Sequence, residues 1–304
     1  MSTLIDGAEH AGTLRAKTRV RSEAFAAKHG RQPRLDVIIV GDHAASRSYV
    51  ATKTRQAGET AIEGRLIELP ANVPQDELLV EIARLNADPG VDGILVQLPL
   101  PDGFDSARVL DAIDPAKDVD GFHPSNVGRL FTATTIDPER MLIPCTPLGC
   151  LLMLQATLGP KGLAGKTAVV VGRSNIVGKP MSQLLLASDC TVTMAHSRTL
   201  DLPAVCRTAD ILVAAVGRPE MIRGDWIKQG ATVIDVGINR VSSPEGKPKL
   251  VGDVATAEAR ARAAFITPVP GGVGRMTVAC LLHNTVVAAE ARLEASQSGK
   301  PADR

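Results

Sequence analysis

The chain has 304 residues, a formal net charge of +1, 44% hydrophobic and 22% charged side chains, so a soluble protein of two domains is expected. The balanced charge gives no support to nucleic-acid binding, and no apolar run approaches the length of a membrane span. The opening MSTLIDGAEH lacks the basic head and apolar core of a secretory signal, and the five cysteines (145, 150, 190, 206, 280) form no C-x-x-C. A reduced, cytoplasmic protein without a metal is expected.

In chain order, residues 4–29 are alanine-rich with spaced apolar positions and read as a surface helix. Leu35–Val40 reads as a buried strand ended by Gly41. Ser46 is a fair N-cap for a helix to about Ala61, on which Tyr49 and Lys53 share a face. They are either a half-buried Tyr beside a Lys that reaches solvent, or a chemical pair at a strand end, where open α/β sheets bind ligands. Residues 65–69 read as a strand, and 74–86 as a helix with Leu78, Leu79, Ile82 and Leu85 inward. Gly93–Leu98 is a third buried strand interrupted by Gln97, an amide that must find hydrogen-bond partners there. Gln97 either ties down a neighbouring loop or belongs to a site. Residues 115–130, PAKDVDGFHPSNVGRL, read as neither helix nor strand, and so as an elaborate connection or a site. Asp118 and Asp120 can cap turns there, and no third hard ligand follows at metal spacing. Residues 143–147 read as extended, with Thr146 capping a helix over 148–158.

The stretch Thr167–Ser188, TAVVVGRSNIVGKPMSQLLLAS, joins a β-branched run, a glycine turn and an apolar segment opened by Pro180. Strand, glycine turn and helix together aim free N–H groups at a phosphate. Five residues separate Gly172 from Gly178, unlike the common G-x-G-x-x-G, so close helix–strand packing is the competing reading. Further strands at 191–195, 211–216, 232–236 and 265–269, with helices of about ten residues between, imply a parallel sheet covered on both faces. The second strand leads into His196-Ser197-Arg198-Thr199 rather than the Asp or Glu that suits NAD. Arg198, with Arg173 as a second candidate, suits a 2′-phosphate through paired charge-assisted hydrogen bonds, so NADP is favoured. Val269–Thr277, VPGGVGRMT, opens a last helix to about Ser296. The expected fold class is α/β with two domains: an N-terminal α/β catalytic domain of residues 1–145 plus about 277–297, and a Rossmann-type parallel-sheet domain of residues 146–276.

The segments SYVATK (48–53), GILVQLPLP (93–101), KDVDGFHPSNVGRL (117–130), PCTPLG (144–149), GRSNIVGKP (172–180), GRPEMI (217–222), IDVGINR (234–240) and VPGGVGRMT (269–277) run in order over most of the chain. Through them the chain closely resembles the bifunctional methylenetetrahydrofolate dehydrogenase/methenyltetrahydrofolate cyclohydrolase family. The resemblance implies Lys53 as the catalytic lysine, Tyr49 as the residue that stacks on the folate, Gln97 as a contact of the lysine and Asp120 as the carboxylate holding the pterin. It places Val96, Gln97, Leu98, Pro270, Gly271 and Gly272 along the folate, and Gly172, Arg173, Ser174, Ser197 and Ile238 along NADP. The family usually has Pro where this chain has Arg275, and Lys where it has Arg198; the first thirty residues match weakly.

The implied chemistry is hydride transfer from the folate methylene carbon to NADP, then hydrolysis of the methenyl cation to the 10-formyl product. A Lys facing that cation in a dry site is expected to have a lowered pKa. The resemblance also implies a homodimer. Three other readings stand beside it: a monofunctional dehydrogenase of the same family, suggested by Arg275; an NADP-dependent dehydrogenase of a small keto or amino acid, with Tyr49 and Lys53 as proton donors; and a non-catalytic nucleotide-sensing domain pair.

Overall fold

The computed structural model describes residues 2–41, 53, 55–242 and 248–298; Ser46 and Tyr49 lie outside them. Its strands are β1 (Thr3–Leu4), β2 (Arg34–Val40), β3 (Glu63–Leu69), β4 (Gly93–Val96), β5 (Thr167–Val171), β6 (Thr191–Ala195), β7 (Ile211–Ala214), β8 (Thr232–Asp235), β9 (Asn239–Ser242), β10 (Pro248–Val251) and β11 (Phe265–Ile266). By internal contacts the chain forms two units, one of residues 1–12, 130–136 and 146–279, the other of 13–129, 137–145 and 280–304.

The first unit holds a parallel sheet in the order β1-β11-β8-β7-β5-β6. β7 and β8 are buried throughout and β5 from Ala168 onward, the state that unbroken aliphatic runs produce in a sheet covered on both faces. Counted from β5, β6-β5-β7-β8-β11 is the doubly wound order 2-1-3-4-5. The order in which successive strands are added reverses between β5 and β7, where such folds bind ligands beyond the strand ends. The five expected strands are all present, three of them shorter than read. The expected helices of about ten residues are not all there. Gly178–Leu186 has nine residues, Leu202–Arg207 six, Thr256–Ala259 four, and Gly224–Trp226 is a single 3-10 turn. Two pairings went unread: β1 against β11, and the antiparallel β9–β10 ribbon. Their residues are short or mixed in polarity, so no apolar period marks them.

The second unit has a three-stranded parallel sheet, β3-β2-β4. Ile38, Val40, Ile94 and Val96 pack there against Leu78, Ile82 and Leu85 of the helix Gln75–Ala87. Asp36 sits in the apolar run of β2 because Arg34, two residues away and so on the same face, grips it through Nε at 2.8 Å and Nη2 at 2.6 Å. Within 115–130 the sequence expectation fails in part: Pro124–Thr132 is a helix. Pro124 stands at its first position, where a missing N–H costs nothing, so the proline that read as a turn starts the helix. Cys145–Leu158 is helical from Cys145, so Thr146 lies inside the first turn rather than capping it. The last helix begins at Val273 and runs to Ser298.

Candidate active site

Lys53 is buried, 4% exposed, and its Nζ donates to Gln97 Oε1 at 2.9 Å. Gln97 follows the end of β4. Its backbone N–H donates to Ile38 O at 2.8 Å and its Nε2 to Leu98 O at 2.7 Å. The second bond uses one of the amide's two N–H donors and turns its oxygen toward the lysine. Both readings of Gln97 therefore hold at once: it ties down its own loop and it holds the amine. Val96 packs into the core and Leu98 is half-buried.

Asp120, in the segment between the helices Ser106–Asp111 and Pro124–Thr132, interacts with Lys53. Burial lowers the Lys53 pKa, with Asp120 and Cys145 pulling the other way. Burial pushes the Asp120 carboxyl up to about 6 against the attraction of Lys53. Desolvation is the leading cause on both sides, so it narrows the gap between the ion pair and the neutral pair. Burial thus favours the neutral amine more here than at an exposed lysine.

The loop that presents Asp120 is held from several directions. Asp118 accepts from the backbone of His123 at 2.8 Å and Gly121 at 3.2 Å, and from Asn126 Nδ2 at 3.0 Å. Asp118 is thus the turn-former, while the Asp120 carboxyl interacts with Lys53 and Cys145. Gly121 has φ +74°, and a Cβ there would lie 2.6 Å from Pro144 N, so only glycine lets the two backbones meet. Asn284 Nδ2 donates to Val119 O and Ile143 O, both at 2.8 Å, and Cys145 Sγ reaches Val119 O at 3.3 Å. Lys117, fully buried, donates to the carbonyls of Leu85, Asn86 and Asp88 at 2.9, 2.7 and 2.7 Å, closing the C-terminus of the helix Gln75–Ala87. Burial, joined by the Arg292 charge, lowers its pKa to about 8. Sequence reading missed Lys117, Asn126 and Asn284. A lysine in a polar loop reads as solvated, and only the helix end above it shows otherwise.

In the first unit, Gly172 has φ +129° and a Cβ there would collide with Ala215 O. A Cβ on Gly178 would collide with Gly172 O. The two glycines therefore let strand, turn and helix close together, and the packing reading of the turn is correct as far as it goes. Ser174 Oγ accepts from the N–H groups of Val177 at 3.1 Å and Gly178 at 3.3 Å. Arg173, Ser174, Ser197 and Arg198 are exposed, and Ile238 is 61% exposed. In-register pairing of Val171 with Ala195 puts Arg173 and Ser197 each two residues beyond the same rung, and Ile238 follows β8 at the same sheet edge. The 196–199 turn is braced by His196 N to Thr199 Oγ1 at 2.9 Å and Arg198 N to His196 Nδ1 at 3.2 Å. Backbone room at the glycine turn, with exposed guanidinium and hydroxyl groups at one strand edge, fits a dinucleotide with an extra phosphate. Pro270, Gly271 and Gly272 lie in this unit. Gly272 is buried against Gly7, where a Cβ would strike Gly272 O. Tyr49 lies outside the described residues, and among the described residues no cluster of His, Cys, Asp and Glu could hold a metal ion.

The family model for the tetrahydrofolate dehydrogenase/cyclohydrolase catalytic domain matches residues 5–120, and that for the NAD(P)-binding domain of the same family matches residues 144–293. The chain is 58% identical to the bifunctional protein FolD of Rhodopseudomonas palustris (strain HaA2) over 95% of this chain and 96% of that one. The bifunctional FolD enzyme of Campylobacter jejuni superposes with a TM-score of 0.89 at 43% identity, covering 96% of this chain and 100% of that one. The Trypanosoma brucei enzyme, solved with NADP cofactor and inhibitor, superposes with a TM-score of 0.90 at 39% identity, covering 97% and 99%. With both domain models matched in order along its length, the chain belongs to the tetrahydrofolate dehydrogenase/cyclohydrolase family.

Proposed function

We infer that the chain is a bifunctional one-carbon folate enzyme, an NADP-dependent methylenetetrahydrofolate dehydrogenase that also hydrolyses the 5,10-methenyl product to 10-formyltetrahydrofolate. The observation that carries the residue assignment is the hydrogen bond from buried Lys53 to Gln97, with Asp120 beside the amine.

When bound, NADP⁺ accepts the hydride from the folate methylene carbon. Gly172, Arg173, Ser174, Ser197 and Ile238 are the residues that hold it, with Arg173 and Arg198 on the 2′-phosphate. In the hydrolysis, water adds to the methenyl carbon and gives a proton to the Lys53 amine, which burial keeps available as a base. As the bond from that carbon to N5 breaks, the Lys53 ammonium returns a proton to N5. The hydroxyl proton passes to solvent, and the formyl group remains on N10. Gln97 orients the amine through a neutral oxygen and so leaves its lowered pKa intact. Asp120 anchors the pterin amino group, a buried polar contact that selects folates. Tyr49, Val96, Leu98 and Pro270–Gly272 complete the folate contacts.

The catalytic domain is placed at residues 1–145 plus about 277–297 and the NADP domain at 146–276; the grouping of 146–279 in one unit supports the second boundary, while residues 1–12 and 130–136 group with that unit. A cytoplasmic homodimer is the proposed working form. Among the described residues no helix is long and apolar enough to cross a membrane.

One assay tests the function. Methylenetetrahydrofolate is mixed with NADP⁺ and then with NAD⁺ while NADPH and methenyl absorbance are followed, and the methenyl folate is supplied separately. Turnover with NADP⁺ and decay of the methenyl band are expected. A methenyl band that persists would leave only the dehydrogenase, and turnover without folate would point to a keto- or amino-acid substrate. Light scattering of the purified enzyme tests the dimer.

A further inference from the structure

Two loops leave the sheet of the first unit next to one another, residues 215–218 after β7 and 236–238 after β8. One buried carboxylate fastens both. Asp253 accepts from the backbone N–H groups of Val216 at 2.6 Å, Gly217 at 3.0 Å and Arg218 at 2.9 Å, and from Asn239 Nδ2 at 2.9 Å. Asp253 is in turn tied to the end of β8. Its N–H and that of Val254 donate to the Asp235 carboxyl at 2.9 and 3.0 Å, and Gly237 N–H donates to the same group at 3.0 Å. Glycine makes room for this. A Cβ on Gly237 would strike the Asp253 carboxyl, and one on Gly252 the Asp235 carboxyl, so both backbone segments pass in contact with the acids.

Each loop adjoins a residue assigned above to NADP. Ala215 N–H donates to Val171 O at 2.8 Å, and a Cβ on Gly172 would collide with Ala215 O. The 215–218 loop is therefore the wall behind the glycine turn. Ile238, 61% exposed, stands between Gly237, held by Asp235, and Asn239, held by Asp253. Its neighbours are drawn inward while its own side chain stays at the sheet edge. A carboxylate has about four acceptor positions, and four N–H groups of the protein already occupy Asp253 among the described residues. Bonds to an ionised acceptor are the stronger kind. Asp253 thus has the chemistry of a clamp between two cofactor-facing segments, not of a ligand contact.

We propose that Asp253 is a positioning residue for hydride transfer: its carboxylate sets the spacing between the wall of the glycine turn and Ile238, and so the seat of the cofactor. The proposal rests on the reading that the glycine turn and Ile238 hold NADP. Asp253→Asn turns one acceptor into an N–H that meets another N–H, and Asn239→Ala removes one of the four bonds with less disturbance of the fold. In the full-length enzyme, Asp253→Asn is expected to weaken NADPH binding, read by fluorescence titration, by at least about tenfold, and Asn239→Ala by about threefold or more. The ratio of dehydrogenase to methenyl hydrolysis, assayed near the wild-type KM for NADP⁺, is expected to fall by about threefold or more in both. A merely structural role would lower the two activities together. Asp225→Asn, the same change at an exposed position of the same unit, is expected to stay within about twofold on every readout. Ile238→Asp tests the underlying reading directly and is expected to weaken NADPH binding. Circular dichroism checks folding, and Asn239→Ala decides the matter if Asp253→Asn does not fold. If Ile238→Asp weakens NADPH binding while Asn239→Ala and every folded Asp253→Asn preparation bind like Asp225→Asn, or if the two activities fall in parallel, the positioning role is overturned. If Ile238→Asp also binds NADPH normally, the placement of NADP at this edge falls, and the positioning role with it.

Discussion

Asn284 reaches out of the last helix to the carbonyl of Val119, the residue immediately before Asp120, at 2.8 Å. The same amide nitrogen holds Ile143 O at 2.8 Å, so one side chain pins the two backbone segments that carry Asp120 and Cys145. Replacing it by Ala takes the donor from Ile143 O and leaves Val119 O with only the weak Cys145 thiol. Asn284→Ala is expected to cost roughly 2–4 kcal/mol of stability and to raise the folate KM more than it lowers kcat. Denaturant unfolding and steady-state kinetics check both.

Lys53→Met is expected to abolish methenyl hydrolysis while NADP⁺ still binds, because the amine lies in a different unit from the glycine turn. Titration of NADPH fluorescence and decay of the methenyl band separate the two effects. Full hydrolysis by this variant would remove Lys53 from the scheme.

Gln97→Glu places a carboxylate where a neutral oxygen now accepts from Lys53 at 2.9 Å. A negative charge there favours the ammonium and opposes the lowering by burial. The limb of the hydrolysis pH profile that reports the neutral amine is expected to move to higher pH, with less activity at pH 7. An unmoved profile would mean that Lys53 is not the titrating base.

Asp235 accepts from the N–H groups of Gly237, Asp253 and Val254 at 3.0, 2.9 and 3.0 Å, yet burial, with Asp253 adding to it, raises its carboxyl to about 7. The folded state therefore binds a proton that the unfolded chain has released between about pH 4 and 7. This group's contribution to stability is greatest below that window and falls as pH rises through it. Asp235→Asn is expected to flatten the dependence of unfolding free energy on pH over pH 4 to 7, read by urea denaturation at several pH values.

Arg275 occupies the first turn of the last helix, and its N–H donates to Gly272 O at 3.1 Å. Helix geometry is thus set up without the proline of the family pattern. Arg275→Pro forfeits that one bond in a turn that tolerates proline and is expected to change stability by about 1 kcal/mol or less, measured by thermal unfolding.

The sequence alone was enough to mark the buried strands of both sheets, the glycine turn after β5 and, through the family motifs, the contact of Gln97 with Lys53. Those features are written in local periods and in short runs of unusual residues, which do not depend on what lies across the fold. It could not show that Asp118 is held by Asn126, that Lys117 closes a helix end, that Asn284 clamps Val119, or that Arg129, Arg140 and Arg292 gather round one cavity. Each of those depends on a partner at least eight positions away in the chain, many of them backbone carbonyls, and a carbonyl carries no sequence signature; only the packed chain brings the two sides within hydrogen-bond or Coulomb range.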